Sequence, residues 1–298
     1  MSDYAIGVFT NIGLISFIAL SAYLLLIAGE MSFGQQAFFG VGAYAAGVAT
    51  AMYGVPLPLA ALLAMAAGGA VAFLVGLPTL RLRGLYFAMA TLAAAEMLRI
   101  VFELVHFQRE IDGELLGPDG TQGFRGIRWV FEAGIEPADF LAIVWALLAL
   151  AVSALVVIER SRLGATLRML GEDPELARML GIHVERFKLG VAAAAGALAA
   201  LGGALYAHHN TYIEPRNFDI MLGVHSLAYA LIGGLGTVFG PLLGVLIDIG
   251  LLEGSRVFHG YRMIVFGGLV ALLLAFRPRG LLDERVVHRI RGRALRQQ

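Results

Sequence analysis

Cysteine is absent from all 298 residues, which excludes disulfides and thiolate metal sites and leaves the compartment open. Lysine occurs once, as Lys188 in the run ERFKLG, and no glycine-rich run precedes it at P-loop spacing. The chain therefore lacks a Walker A motif and with it an internal nucleotide site of that type. Neither HExxH nor G-x-S-x-G occurs. His208 and His209 are adjacent but have no further His or Cys partners nearby, which makes a poor metal site. Together with Asn210 they either contact a solute or sit at a membrane interface. No metal, no cofactor and no catalytic residue is expected. Charge is scarce as well: 15% of residues are charged and the net charge is zero. Its distribution matters more than its total.

What the chain has instead is apolar sequence. It is 59% hydrophobic, with a mean hydropathy of +0.79. Residues 5–28, 37–80, 140–158, 189–213 and 220–247 contain no Asp, Glu, Lys or Arg. Runs of that length read as membrane spans, so the expected fold is an all-α polytopic membrane protein. The apolar N-terminus has no basic leader region and no convincing cleavage site, and is read as the first span, 5–28. Block 37–80 is too long for one crossing and divides at VPLP, 55–58. Further spans are expected at 84–105, 140–158, 189–207 and about 263–276. Block 220–252 is interrupted by GGLGTVFGP at 233–241.

Fifteen of the 22 basic residues fall in the 81–83 turn, the 159–188 loop and the 277–298 tail. By the positive-inside rule all three are cytoplasmic, and the acidic 106–139 loop is outside. Block 220–252 must then cross twice or dip in and return. About eight or nine transmembrane or re-entrant helices result. The chain reads as a single domain, 1–298. It comprises a first helical group at 5–158, a cytoplasmic loop at 159–188, a second group at 189–276 and a basic cytoplasmic tail at 277–298, which either contacts anionic headgroups or a protein partner or is a solvated topology signal.

The best-marked local structure lies in the basic loop. Asp173 is a natural N-cap, and Pro174 suits the first helical position. Glu175 places negative charge in the first turn, and Gly181 supplies a left-handed stop. Leu176, Met179 and Leu180 share one face of the two turns between them, with Glu172, Asp173 and Arg178 at the polar rim. A helix that short needs something to dock against.

Elsewhere the residues leave alternatives open. In GEMSFGQQAFFGVGAYAAG, 29–47, the glycines provide either close helix packing or a broken helix start lining a polar path, with Ser32 and Gln35 as path candidates. Gly233, Gly234 and Gly236 predict a non-helical turn near such a path, with Thr237 as a polar lining residue. Glu96, Arg99 and Glu103 are spaced for mutual salt bridges, though charges inside a span also suit an ion relay. Asp248 is an isolated intramembrane acid.

Three stretches carry a family resemblance: SFGQQAFFGVGAYAAG, GEDPELARMLGIHVERFKLGVAAAAGALAALGGALYA (171–207) and LAYALIGGLGTVFGPLLGVLI (227–247). In sequence, order and spacing the chain resembles the permeases of branched-chain amino-acid-type ABC importers. It is most similar to the member of the permease pair with the longer extracytoplasmic insertion. The resemblance implies a non-catalytic subunit in a bacterial inner membrane. It would work with a second homologous permease, two ABC ATPases and a periplasmic substrate-binding protein, without nucleic acid. It also implies that residues 172–181 form the coupling helix seated in the ATPase. Related members carry urea, short amides or other small organic solutes, so the ligand stays open within the family. From a different class, the competing reading is a stand-alone proton-coupled transporter with Glu96 or Asp248 as carrier. A structural membrane protein or receptor is a third.

Overall fold

The computed structural model describes residues 3–111, 113–253, 261–277 and 280–282. Of the basic tail expected at 277–298, residues 278–279 and 283–298 lie outside them. The chain is an all-α polytopic membrane protein with one small sheet in its long hydrophilic loop. Nine apolar helical segments run between the two ends of the described bundle: α1 (Asp3–Ile27), α2 (Gln35–Tyr53), α3 (Leu57–Thr79), α4 (Leu85–Leu104), α6 (Pro137–Arg160), α9 (Val184–Asn210), α10 (Ile220–Gly233), α11 (Phe239–Val245) with its continuation, and α12 (Arg262–Phe276). Five of them, α1, α3, α4, α6 and α9, are long and apolar enough to cross a membrane individually. Short helices α5 (Trp129–Glu132), α7 (Arg162–Glu172) and α8 (Pro174–Met179) lie in the hydrophilic loops.

The first helix is the centre of the bundle. It carries no charge after Asp3 and is buried on all sides from Ile12 to Leu26, with Phe17, Leu20 and Tyr23 almost wholly enclosed. A helix apolar all round belongs inside. It packs on α9, α6, α10 and α11.

Small residues govern the packing of α2 and α3 on α9. A Cβ on Gly203 would lie 1.8 Å from the Phe39 carbonyl oxygen, and one on Gly42 would lie 2.1 Å from that of Ala200. A Cβ on Gly68 would meet Ala200 Cβ at 2.3 Å. Backbones this close leave no room for any side chain, which is how helices associate where no hydrophobic force separates them from lipid. Gly42 is thus a packing position, and a Cβ on Gly40 or Gly47 would also crowd Phe102 or Phe124, at 2.9 Å each.

The start of α2 is nevertheless broken. Residues 28–34 are not helical, and Glu30 and Ser32 are buried within that stretch. Glu30 pairs with Lys188 near the start of α9, whereas the Gln35 side chain sits level with Ala195, seven residues along the same helix. Seven residues rise about 10 Å. The irregular segment therefore climbs inside the bundle, where enclosure by protein makes it tolerable.

The division at VPLP falls as expected, with Pro56 and Pro58 flanking the start of α3. Block 220–252 forms two helical segments that turn at 234–238. A Cβ on Gly233 would lie 1.7 Å from the Gly240 carbonyl oxygen, and Gly234 has φ +93°, so the hairpin closes only with glycine at both positions. The second segment continues beyond Val245 as a π-helix, Leu246–Glu253.

The polar loops sit at opposite ends. At one end, Gly29 lies against Gly171, Arg168 reaches the Gly236 carbonyl at 3.3 Å, and Leu281 and Leu282 pair with the backbone of Ile232 and Gly233. At the other, strands β1 (Arg109–Ile111), β2 (Glu114–Pro118) and β3 (Phe124–Arg125) form an antiparallel sheet in the acidic loop. Phe124 bonds the backbone of Ile213, and both it and Ile127 are fully buried over Gly47 of α2.

Candidate functional site

The 159–188 loop builds its exposed helix in two steps. Ser161 caps α7 by accepting from the Leu163 amide, and Gly164, Leu167 and Leu170 turn inward. The sequence reading missed this helix, although the Ser161 cap and the Leu163, Leu167, Leu170 spacing were there to find. Asp173 then caps α8, its Oδ1 accepting from the amides of Glu175 and Leu176 at 3.0 Å each. Pro174 opens the helix, and Gly181 ends it with φ +82°.

The underside of α8 rests on the protein through Ala177, which is fully buried with Leu170 and Val184. The outer face is bare. Leu176, Met179 and Leu180 are 48%, 84% and 65% exposed. The three form a small exposed apolar group with charged residues around it. Glu172 and Asp173 lie exposed beside it. Arg178 pairs with Glu175 and Glu185 at 2.6 Å each, and these hydrogen bonds, Glu185 first, raise its pKa further. Glu175 also reaches Arg83 in the α3–α4 turn at 3.3 Å.

The residues singled out for a translocation path fall in two separate groups, and no hydrogen bond joins them among the described residues. Ser32 and Gln35 lie on the broken start of α2. The Ser32 hydroxyl accepts from the Gly34 amide, and the Ser21 hydroxyl of α1 lies 2.5 Å from Gln35 Oε1 and 2.6 Å from the Ala195 carbonyl oxygen, either of which can take its one proton. Gly234, Gly236 and Thr237 form the α10–α11 hairpin, buried or half-buried beneath α7.

Beside Gln35, sequence reasoning passed over Gln36. Its side chain is fully buried against Gly223 of α10, and neither its amide oxygen nor its nitrogen has a hydrogen-bond partner. Leaving such a group unsatisfied costs about 1–3 kcal/mol.

The remaining candidates resolve into local ties. Arg99 bridges Glu96 at 2.8 Å and also bonds Glu103, the mutual salt bridges that the spacing allowed. His208 is buried within the protein, its Nδ1 on the Ala204 carbonyl and its Nε2 3.0 Å from the Thr50 hydroxyl of α2. His209 is exposed and stacks on Phe140. Asp248 is buried on the π-helix and accepts a 2.7 Å hydrogen bond from Tyr229 of α10. No group of three or more potential metal ligands occurs among the described residues.

These features define a polytopic membrane protein with a capped helix whose apolar face is bare at one polar end. The family described as "Branched-chain amino acid transport system / permease component" matches residues 4–275, and the chain belongs to that family. The chain is similar to the high-affinity branched-chain amino acid transport system permease protein LivM of Escherichia coli (strain K12). The two are 33% identical over 284 residues, which is 86% of this chain and 64% of that protein. LivM of Salmonella typhimurium is 32% identical over the same shares. LivH of Escherichia coli (strain K12) is 30% identical over half of this chain and 49% of its own length. The chain thus spans just under two thirds of the LivM relatives. No solved structure matches it significantly.

Proposed function

We propose that the chain is the substrate-conducting permease subunit of an ABC importer for branched-chain or other hydrophobic amino acids. It pairs with a second homologous permease in the bacterial inner membrane, receives solute from a periplasmic binding protein and is driven by two ABC ATPases. It is non-catalytic itself. The reading rests on one observation above the others: a member of this permease family leaves Leu176, Met179 and Leu180 bare on a rigidly capped helix in its most basic loop. A short helix with a few apolar anchors in a partner's groove is a recurring interface, and those anchors usually dominate its energy.

The buried start of α2 and the α10–α11 hairpin are proposed to flank the path, with Ser32, Gln35, Gly234, Gly236 and Thr237 near it. Small, mostly uncharged walls suit a zwitterion that must be released as readily as it enters.

Two variants test the coupling role. Leu180→Glu would place a charge in the interface, at a cost of several kcal/mol. It should insert normally yet lose both its ATPase and ATP-dependent leucine uptake. For cross-linking, Met179→Cys places one exposed thiol on α8 in a chain with no other cysteine. Normal uptake by Leu180→Glu together with no Met179→Cys cross-link to an ATPase would refute the assignment. Uptake that persists without ATP and collapses with the proton gradient would favour the secondary-transporter reading instead.

A further inference from the structure

Two stretches inside the bundle are not α-helical. One is 28–34, ahead of α2, and the other is 211–219, which leads back from the sheet end of α9 to the start of α10. Ile213 pairs with Phe124 over Gly47, and Phe218, further along, packs on Phe39 and against Gly40. The two stretches meet where Gln36, in the first turn of α2, touches Gly223, in the first turn of α10. A Cβ on Gly223 would lie 2.1 Å from Gln36 Oε1. The neighbouring Gln35 is level with Ala195, eleven residues from one end of α9 and fifteen from the other, or about 17 Å and about 23 Å. The junction therefore lies deep within the spanning part of the bundle.

Three observations point to a ligand there. Irregular backbone at membrane depth belongs inside protein or along a polar path, and interrupted helices commonly build the solute sites of transporters. Second, the start of α2 is electropositive and open. No side chain caps it, and the amides of Gln35 and Gln36 have no acceptor among the described residues. By contrast α10 carries its own cap, Asp219, which accepts from the Leu222 amide at 3.1 Å. Third, Gln36 is fully buried between the two helix starts with neither Oε1 nor Nε2 paired, and Nε2 of Gln35 is unpaired as well.

We infer that this junction is the recognition point for the carboxylate of the transported solute, closed in this structure and filled when α2 and α10 part. That the solute is an amino acid rests on the function proposed above. Side chains of a helix lean toward its N-terminus, so the Gln36 carboxamide and the first-turn amides of α2 face the same way. The amides and Gln36 Nε2 donate to the carboxylate, as helix starts do to anions. Gln36 Oε1 is left to accept from the ammonium, so one uncharged side chain serves both ends of a zwitterion. In the closed state Gln36 packs on Gly223 instead, and its stranded polar atoms favour opening. A cavity of about 390 Å³, within the usual size of small-molecule sites, brings a solute within one helical turn of the junction. Phe39 and Leu222 line it, and so does Asp248, which accepts from Tyr229.

Gln36→Leu, apolar and close in size, provides the test. In the solubilised full assembly without binding protein, its thermal unfolding midpoint should exceed that of the unmodified assembly, because a stranded polar group is gone. Saturating leucine should raise the midpoint of the unmodified assembly, as any ligand of the folded state does. Leucinamide, which keeps the ammonium and the branched chain but lacks the carboxylate, should not. Gln36→Leu should respond to neither. It should also lose ATP-dependent leucine uptake by about tenfold, the worth of one hydrogen bond to a charged group. A lower midpoint in Gln36→Leu, a leucine shift or normal uptake that survives in it, equal shifts from leucine and leucinamide, or no shift from leucine in the unmodified assembly would overturn the site. ATP-dependent leucine uptake by the unmodified assembly with its binding protein is measured in parallel. Uptake without a carboxylate-dependent shift sinks the site alone; the shift without uptake sinks the proposed function alone.

Discussion

Glu30 and Lys188 show how much rests on single side chains in a protein so poor in charge. The only lysine in the chain is buried, its Nζ 2.5 Å from Glu30 Oε1, and it ties the broken start of α2 to α9. Removing one partner strands the other in a low-dielectric site, at a cost of about 3–5 kcal/mol, whereas replacing both with neutral groups costs far less. Lys188→Met should therefore lower the thermal unfolding midpoint of the solubilised protein sharply. The double variant Glu30→Gln, Lys188→Met should recover most of the loss. Equal midpoints for the single variant and the parent would mean that the pair contributes nothing. The glycines of α9 make a second contrast at this scale. Gly203→Ala must push its new methyl into the Phe39 carbonyl, while Gly190→Ala meets nothing within 4 Å and improves helix propensity. Gly203→Ala should destabilise by about 1–3 kcal/mol, as overpacking does, and Gly190→Ala should be neutral or slightly stabilising in the same unfolding measurement.

At the scale of elements, α7 connects the exposed helix to the membrane bundle. Its Gly171 touches Gly29 ahead of the broken α2, and its Arg168 reaches both the Gly236 carbonyl and Glu159, which in turn accepts from Tyr23 of α1. A push on α8 would reach the α10–α11 hairpin through this helix. Arg168→Met should keep the ATPase bound but weaken coupling by about 1–2 kcal/mol, seen as roughly 5- to 30-fold less solute moved per ATP hydrolysed. An unchanged ratio would remove Arg168 from the transmission route. The hairpin itself is a less direct probe. Gly234→Leu would strain a left-handed residue in a buried turn, so lost uptake would not separate a path defect from a folding defect. Thr237→Val, half-buried and isosteric, is the cleaner test of a polar wall. The elements legible in the sequence were those with local punctuation: Pro56 and Pro58 at the start of α3, Asp173 and Gly181 around α8, the glycines of the hairpin. The broken start of α2 was one of two readings that its glycines left open, and the sheet and the cavity around Asp248 were not legible at all. Each depends on partners far along the chain, such as Lys188 for Glu30, Ile213 for Phe124 and Tyr229 for Asp248.

For the molecule as a whole, nine segments between two polar ends put the start of α1 and the end of α12 at opposite ends. The basic 159–188 loop shares an end with the α3–α4 turn, through Glu175 and Arg83, and with Leu281–Leu282 beyond α12. The acidic loop and its sheet occupy the other end. This separation of charge is what the positive-inside rule requires, and it fixes the basic end as cytoplasmic if the rule governs insertion here. The absence of cysteine makes the orientation directly measurable with one thiol at a time. Phe131, 68% exposed beside the sheet, and Met179, 84% exposed on α8, report on the two ends. In spheroplasts, Phe131→Cys should react with an impermeant maleimide at once, and Met179→Cys only after the membrane is opened. The reverse pattern would turn the molecule over. It would place α8 where no ATP is available and withdraw the coupling assignment with it. Labelling of both sites in intact spheroplasts would instead show that the count of nine crossings is wrong by one between α5 and α8, where α6 is the only long helix.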